Sequence, residues 1–185
     1  MIKSKQLCRV LAVAIFYALV SNASMAAVWK RVSGESYKIL WKSLTFTELK
    51  IDPRQSMPAG GDILDPQYSK KIVINYHLGV AAEHFRRLTL ESLKSAYSEE
   101  ELAAAKADIE RFCSWYEDVN KGDSYSLSWR RDEGLLLSLN TRPLGKIIDP
   151  DAAALILSVW LGEAAVSGKQ RDTILAAWRA GVGST

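Results

Sequence analysis

The side chains here whose chemistry could exceed packing are few: two histidines, two cysteines and six tryptophans. His77 and His84 stand seven apart, with no cysteine beside them and no His-x-x-x-His spacing. That is a poor metal set, so both are expected to be structural or solvent-facing. No Gly-x-Ser-x-Gly turn occurs, which leaves a serine hydrolase without its anchor. Acids cluster as Glu99–Glu100–Glu101 and Asp132–Glu133; the first set suits a helix start, where acids complement the dipole, and the second a turn. "GDILD" (61–65) with Asp52 matches no EF-hand spacing. No catalytic residue, metal or cofactor is expected from these patterns. Cys113 falls on a helical apolar stripe and reads as a packing thiol. Of the tryptophans (Trp29, Trp41, Trp115, Trp129, Trp160, Trp178), most are expected in the core. The alternative is that several line a cleft for an apolar or planar ligand.

The elements that must position these groups follow from periodicity. "YKILWKSLTFTELKI" (37–51) reads as extended, one bent strand or two. Residues 52–70 hold three prolines and two glycines and read as a loop. "KIVINYHL" (71–78) is a strand with Ile72, Ile74 and Tyr76 on one face and Val73 on the other, hence central in a sheet. The period then changes to a helix with Phe85, Leu88, Ser92, Leu93, Ala96 and Tyr97 on one side. Ser98 and Glu101 have capping-box spacing and open a second helix, with Leu102, Ala105, Ile109, Phe112, Cys113 and Tyr116 as its stripe. "NKGD" is a turn and "SYSLSW" alternates with Tyr125, Leu127 and Trp129 inward. "RRDEG" turns into "LLLSLN", and "TRPLG" turns into the short run "KII". Asp149, Pro150 and Asp151 open a third helix that ends at Gly162, and Ser167 starts a fourth with Ile174, Leu175 and Trp178. Strands, two helices, strands and two helices predict an α+β fold: an open-faced, largely antiparallel sheet with a layer of helices on one face.

The 185 residues are 48% hydrophobic and 24% charged, as expected for one globular domain. The first 26 differ in kind. Lys3, Lys5 and Arg9 precede an apolar run, Val10 to Val20, with Ser24 and Ala26 at the −3 and −1 positions. This is the pattern of a cleaved secretory signal, leaving a domain over 27–185 that is periplasmic or secreted. The run is too short to span a hydrocarbon core, so no stable membrane anchor is expected after cleavage. The signal holds three of the 24 basic residues and none of the 21 acidic ones, so 24 − 3 = 21 of each remain. Balanced charge leaves no electrostatic footprint for nucleic acid. Cys8 departs with the signal, and Cys113 alone forms no internal disulfide.

"GDSYSLSW…EGLLLSLNTRPLGKIIDPDAAALILSVWLG", preceded by "CSWYEDVNKGD", resembles the bacterial chalcone isomerase-like proteins. The elements "VNKGD", "NTRPLGKIID" and "ILSVWLG" occur in the family's order, and the likeness covers roughly residues 28 to 178. It implies an exported protein with an open-faced sheet backed by helices. The plant isomerases of this fold keep a tyrosine and an asparagine on the helix that "AAEHFRRLTLES" resembles; those positions here are Phe85 and Ser92. Their threonine falls on Val159, and Arg31 is the candidate counterpart of their arginine, without a fixed register. The resemblance therefore implies a ligand-binding cleft lined by Phe85, Ser92 and Val159, with Arg31 as carboxylate partner, and no catalytic set. The expected function is non-catalytic binding of a small apolar ligand such as a fatty acid. The alternatives are a residual isomerase or lyase on a planar phenolic, or an envelope interaction module without ligand.

Overall fold

Alternating apolar residues build six strands, and the segments of helical period pack across one side of them. The computed structural model describes residues 28–182. The segment read as a secretory signal, 1–26, lies outside the described residues. The strands are β1 (Lys30–Ile39), β2 (Lys42–Ile51), β3 (Lys70–Tyr76), β4 (Ser124–Arg130), β5 (Gly134–Leu139) and β6 (Arg142–Ile147). They form one antiparallel sheet in chain order, so β3 and β4 are central. The helices are α1 (Ala82–Ala96), α2 (Glu99–Ala103), α3 (Lys106–Ser114), α4 (Pro150–Leu161) and α5 (Gly168–Val182). The expected α+β architecture is the observed one.

Register aligns the inward positions into rows. Thr47 lies opposite Ile74, Ile74 opposite Tyr125, and Tyr125 opposite Leu139. The next row is Leu49, Ile72, Leu127 and Leu137, each 0–1% exposed. The other face carries Glu48, Lys50, Lys71 and Asn75, and is only half-buried. Hence β3 is central yet covered on one side alone, and Val73 sits on the uncovered side.

One sequence expectation is decided between its alternatives, and two meet a different outcome. Residues 30–51 form two strands, β1 and β2, joined at Leu40–Trp41, and β1 begins at Lys30, ahead of the segment read as extended. The segment read as one helix from Ser98 breaks into α2 and α3. Local propensity does not cause this break, because Ala103–Ala105 are the best helix formers; we attribute it to docking of the buried Ala105. The turn read over "TRPLG" is only Asn140–Thr141, and Pro143 and Gly145 belong to β6. An edge strand tolerates a residue without an N–H, and Gly145 lets the Trp115 ring lie where a Cβ would stand at 2.2 Å.

The caps follow the sequence. Ser98 accepts from the Glu101 amide while the Glu101 carboxylate accepts from the Ser98 amide. Asp149 accepts from the Ala152 amide at 2.8 Å ahead of Pro150. The long 52–69 loop is tied down by two indoles. Trp129 donates to the Pro66 carbonyl at 2.9 Å, and Trp178, fully buried on α5, donates to the Tyr68 hydroxyl at 3.1 Å.

Candidate functional site

Between the inward face of β1–β3 and the helices lies a cavity of about 470 Å³. Its floor is Tyr37, Thr45, Thr47, Ile74 and Tyr76. The first turns of α1 close one side through Phe85, Leu88 and Thr89, and the end of α4 closes another through Val159 and Trp160. The start of α5 adds Ser167 and Gln170. The volume falls within the range of small-molecule sites. A second hollow, about 700 Å³, runs between α1 and α2–α3. It is larger, but charged side chains (Lys94, Lys106, Glu99, Glu110) edge it and it does not reach the sheet. The smaller cavity is the better candidate because it penetrates to buried polar groups.

The wall formed by α1 and by Tyr116 just after α3 is set by a reciprocal clasp. The Ala82 amide at the start of α1 donates to the Asp118 carboxylate at 2.8 Å, supplying the cap that Ala81 cannot. Arg86 of α1 returns the favour at the other helix, donating to the carbonyls of Cys113 at 3.1 Å and Tyr116 at 3.0 Å. Anion at one helix N-terminus and cation at the other's C-terminus both suit the dipoles. The clasp holds Phe85 edge-on to Tyr76 and Tyr125, each at 5.4 Å between ring centres, and tilted against Tyr116 at 5.5 Å.

Polar groups on the cavity lining are hydroxyls, the Gln170 amide, the Trp160 indole and, at the rim, the His84 imidazole. Gln170 donates from Nε2 to the Glu35 carbonyl at 3.1 Å and reaches Thr47 Oγ1 at 3.4 Å. Thr89 and the Tyr116 hydroxyl share a hydrogen bond of 3.1 Å. Tyr76, 6% exposed, has no hydrogen-bond partner for its hydroxyl among the described residues. Burial pushes the phenols of Tyr76 and Tyr116 well above the usual tyrosine value. Both therefore stay protonated and can donate, but neither can serve as a base near neutrality. The described lining has no Lys, Arg, Asp or Glu. No cluster of three metal-ligating side chains occurs among the described residues.

The candidate site residues are placed as follows. Phe85 and Val159 line the cavity. Ser92, half-buried on α1 two turns beyond Phe85, does not. Arg31 donates to Glu48 at 2.8 Å on the face of the sheet away from the helices, so it too is outside the lining. His84 stands exposed at the rim, its Nδ1 3.1 Å from Arg87 Nη2, and His77 is exposed. Cys113 is buried, and burial pushes its thiol up to about 11. Among the tryptophans, Trp129 and Trp178 are core, Trp160 lines the cavity and Trp41 is 88% exposed. Thr47, Thr89 and Gln170 were not singled out by sequence, and Tyr76 was placed on a strand face without a site role. A register argument could have found Thr47 and Tyr76, since both sit on the inward alternation of their strands.

Comparison with known proteins bears on this geometry. The family described as chalcone isomerase-like matches residues 54–176. Among solved structures, the chain is similar to the crystal structure of a fatty-acid binding protein of Arabidopsis thaliana. That match has a TM-score of 0.63 at 11% identity and covers 84% of this chain and 90% of the other. At such identity the likeness establishes the fold. No curated protein sequence matches significantly.

Proposed function

The chain belongs to the chalcone isomerase-like family, and from that premise we propose that it binds a small, mainly apolar ligand such as a fatty acid without converting it. The carrying observation is the cavity of about 470 Å³ between sheet and helices, walled by aromatic and aliphatic side chains, with the Tyr76 hydroxyl, unpartnered among the described residues, on its wall. Apolar walls give affinity and a few convergent polar groups give orientation. The fatty-acid binding protein that shares the fold supports the ligand class. A fatty acid would enter tail first, because the interior wall offers no cation, and would keep its carboxylate at the rim near His84 and Arg87. Tyr76 is then free to donate to an ester, ketone or hydroxyl oxygen carried deeper in a ligand.

Non-catalytic action fits the same wall. Phe85 and Val159 stand where the resemblance places the isomerases' tyrosine and threonine, and the remaining phenols are held protonated by burial. The N-terminal pattern of residues 1–26 supports export, to the periplasm or beyond.

The test is native mass spectrometry of the delipidated full chain mixed with dodecanoic acid. A one-to-one adduct is expected, and it should disappear in Leu88→Trp, which fills the cavity, while circular dichroism shows that variant folded. No adduct, or an equal one with Leu88→Trp, would refute the reading. Turnover of a chalcone above its spontaneous rate would replace binding by catalysis.

A further inference from the structure

Two hairpins of the sheet turn through two residues, and their chemistry is opposite. At Asn140–Thr141, between β5 and β6, the first residue has φ +56, and its side chain is engaged: Oδ1 accepts from the Ser124 amide and Nδ2 donates to Asp123, both at 3.0 Å. Asparagine is what such a backbone favours. At Leu40–Trp41, between β1 and β2, the first residue has φ +55, yet it is a leucine. A bulky residue in that conformation is uncommon and disfavoured. Nor is the side chain there for packing: Ile39, Leu40 and Trp41 are 53%, 82% and 88% exposed. Local turn preference and burial both argue against these residues, so their placement calls for a third reason.

The flanks supply it. Lys38 and Lys42 bracket the apolar trio, both exposed, and neither ammonium has an ion-pair partner among the described residues. Apolar side chains at an apex with tryptophan beside them and lysines one step back match the layers of a membrane interface: acyl boundary, aromatic belt, phosphate. We propose that the β1–β2 hairpin tip docks the domain reversibly on an anionic lipid surface. Three side chains fall short of the roughly 800 Å² that each partner in a protein complex typically buries, whereas a narrow tip suits insertion between headgroups. Two unpaired lysines complement anionic lipid.

The tip also adjoins the cavity. Tyr37 and Leu44, on the two arms just inside it, line the cavity wall, and so does Val166, which is 40% exposed. A lipid-derived ligand would therefore have a short path from bilayer to cavity. Docking itself does not depend on the ligand reading and is tested without ligand.

The experiment compares the full chain with its Trp41→Phe variant on phosphatidylcholine vesicles, with and without phosphatidylglycerol, carrying brominated acyl chains. The apolar run near the N-terminus is common to both proteins, so their difference reports on the tip. Bromine is expected to quench a component of the emission that is missing in Trp41→Phe, and only when phosphatidylglycerol is present. Lys38→Glu/Lys42→Glu should weaken that quenching response by about tenfold or more in lipid concentration. Equal quenching in wild type and Trp41→Phe would overturn the proposal. So would a concentration-dependent dimer in lipid-free solution that Trp41→Glu dissociates, since the tip would then be a protein interface.

Discussion

The two ends of β3 each bury a polar group on the same face of the same strand, and they treat it differently. At the first end Lys70, 1% exposed, donates its ammonium to the Asp65 carbonyl at 2.7 Å and lies 5.9 Å from the Trp129 ring centre. At the last end Tyr76 buries a phenol whose hydroxyl has no hydrogen-bond partner among the described residues, at the wall of the cavity. Buried polar groups are normally satisfied. The Lys70 ammonium, satisfied by the chain, belongs to the architecture, while the Tyr76 hydroxyl, which is not fully buried, opens on the cavity and is available to a ligand's polar atom. Between them the strand's packing changes character. Ile72 is fully buried in a filled layer, and Ile74 faces the cavity.

Truncations along the strand sharpen this contrast most strongly. Ile72→Ala should cost about 3–5 kcal/mol in urea unfolding, because a filled layer loses contacts it cannot recover. Ile74→Ala should sit near the lower end of the usual range, about 2 kcal/mol, because part of its surroundings is already space. Equal costs would mean that the cavity end is as tightly packed as the other.

Lys70 gives the next effect. Burial is the main influence and the nearby Asp62 and Asp65 oppose it, bringing the ammonium down from 10.5 to about 7. Above pH 7 the native lysine is neutral while the unfolded one still binds its proton. Unfolding free energy should therefore rise from pH 7 to 9, by up to about 1.4 kcal/mol per unit from this group. Lys71, also lowered by burial, adds in the same direction. Above pH 9 the buried Cys113 thiol, near 11, works against the rise, since the unfolded thiol ionises first. Chemical denaturation of wild type and Lys70→Met across pH 6 to 9 reads the difference; parallel curves would show that Lys70 does not titrate there.

Removing single hydroxyls gives the smallest effects and the most direct comparison. Tyr116→Phe strands Thr89 and should cost about 1–2 kcal/mol. Tyr76→Phe has no bond to lose and should shift stability by no more than about 0.5 kcal/mol. It should nonetheless weaken binding of an apolar ligand with an interior carbonyl oxygen by about tenfold in calorimetric titration, the worth of one net hydrogen bond. A destabilised Tyr76→Phe would place an intramolecular partner on that hydroxyl.

Much of this was legible in the sequence, and for local reasons. Strand alternation, the Ser98–Glu101 capping box, the Asp149–Pro150 helix start and the Cys113 stripe each depend on neighbours within one or two turns, so spacing reveals them. The site residues divide differently. Phe85 and Val159 lie on the cavity wall, whereas Ser92 lies beyond its end on α1 and Arg31 lies across the sheet, paired with Glu48. A strand's side chains alternate between faces, so a one-residue difference in register moves an arginine from cleft to solvent.

By itself, then, the order of residues determined most of the strand and helix segments, the helix starts at Ser98 and Asp149, and that the sheet has one covered face, because these rest on periodicity and capping chemistry close along the chain. The break before α3 and the full extent of β1 and β6 did not follow from it. Only the tertiary structure decided that α1, α4 and α5 stop short of filling the space over β1–β3. It alone left the Tyr76 hydroxyl without a partner there among the described residues and carried Leu40 and Trp41 into the open. Those outcomes depend on how side chains far apart in sequence share volume and hydrogen bonds, which no local pattern encodes.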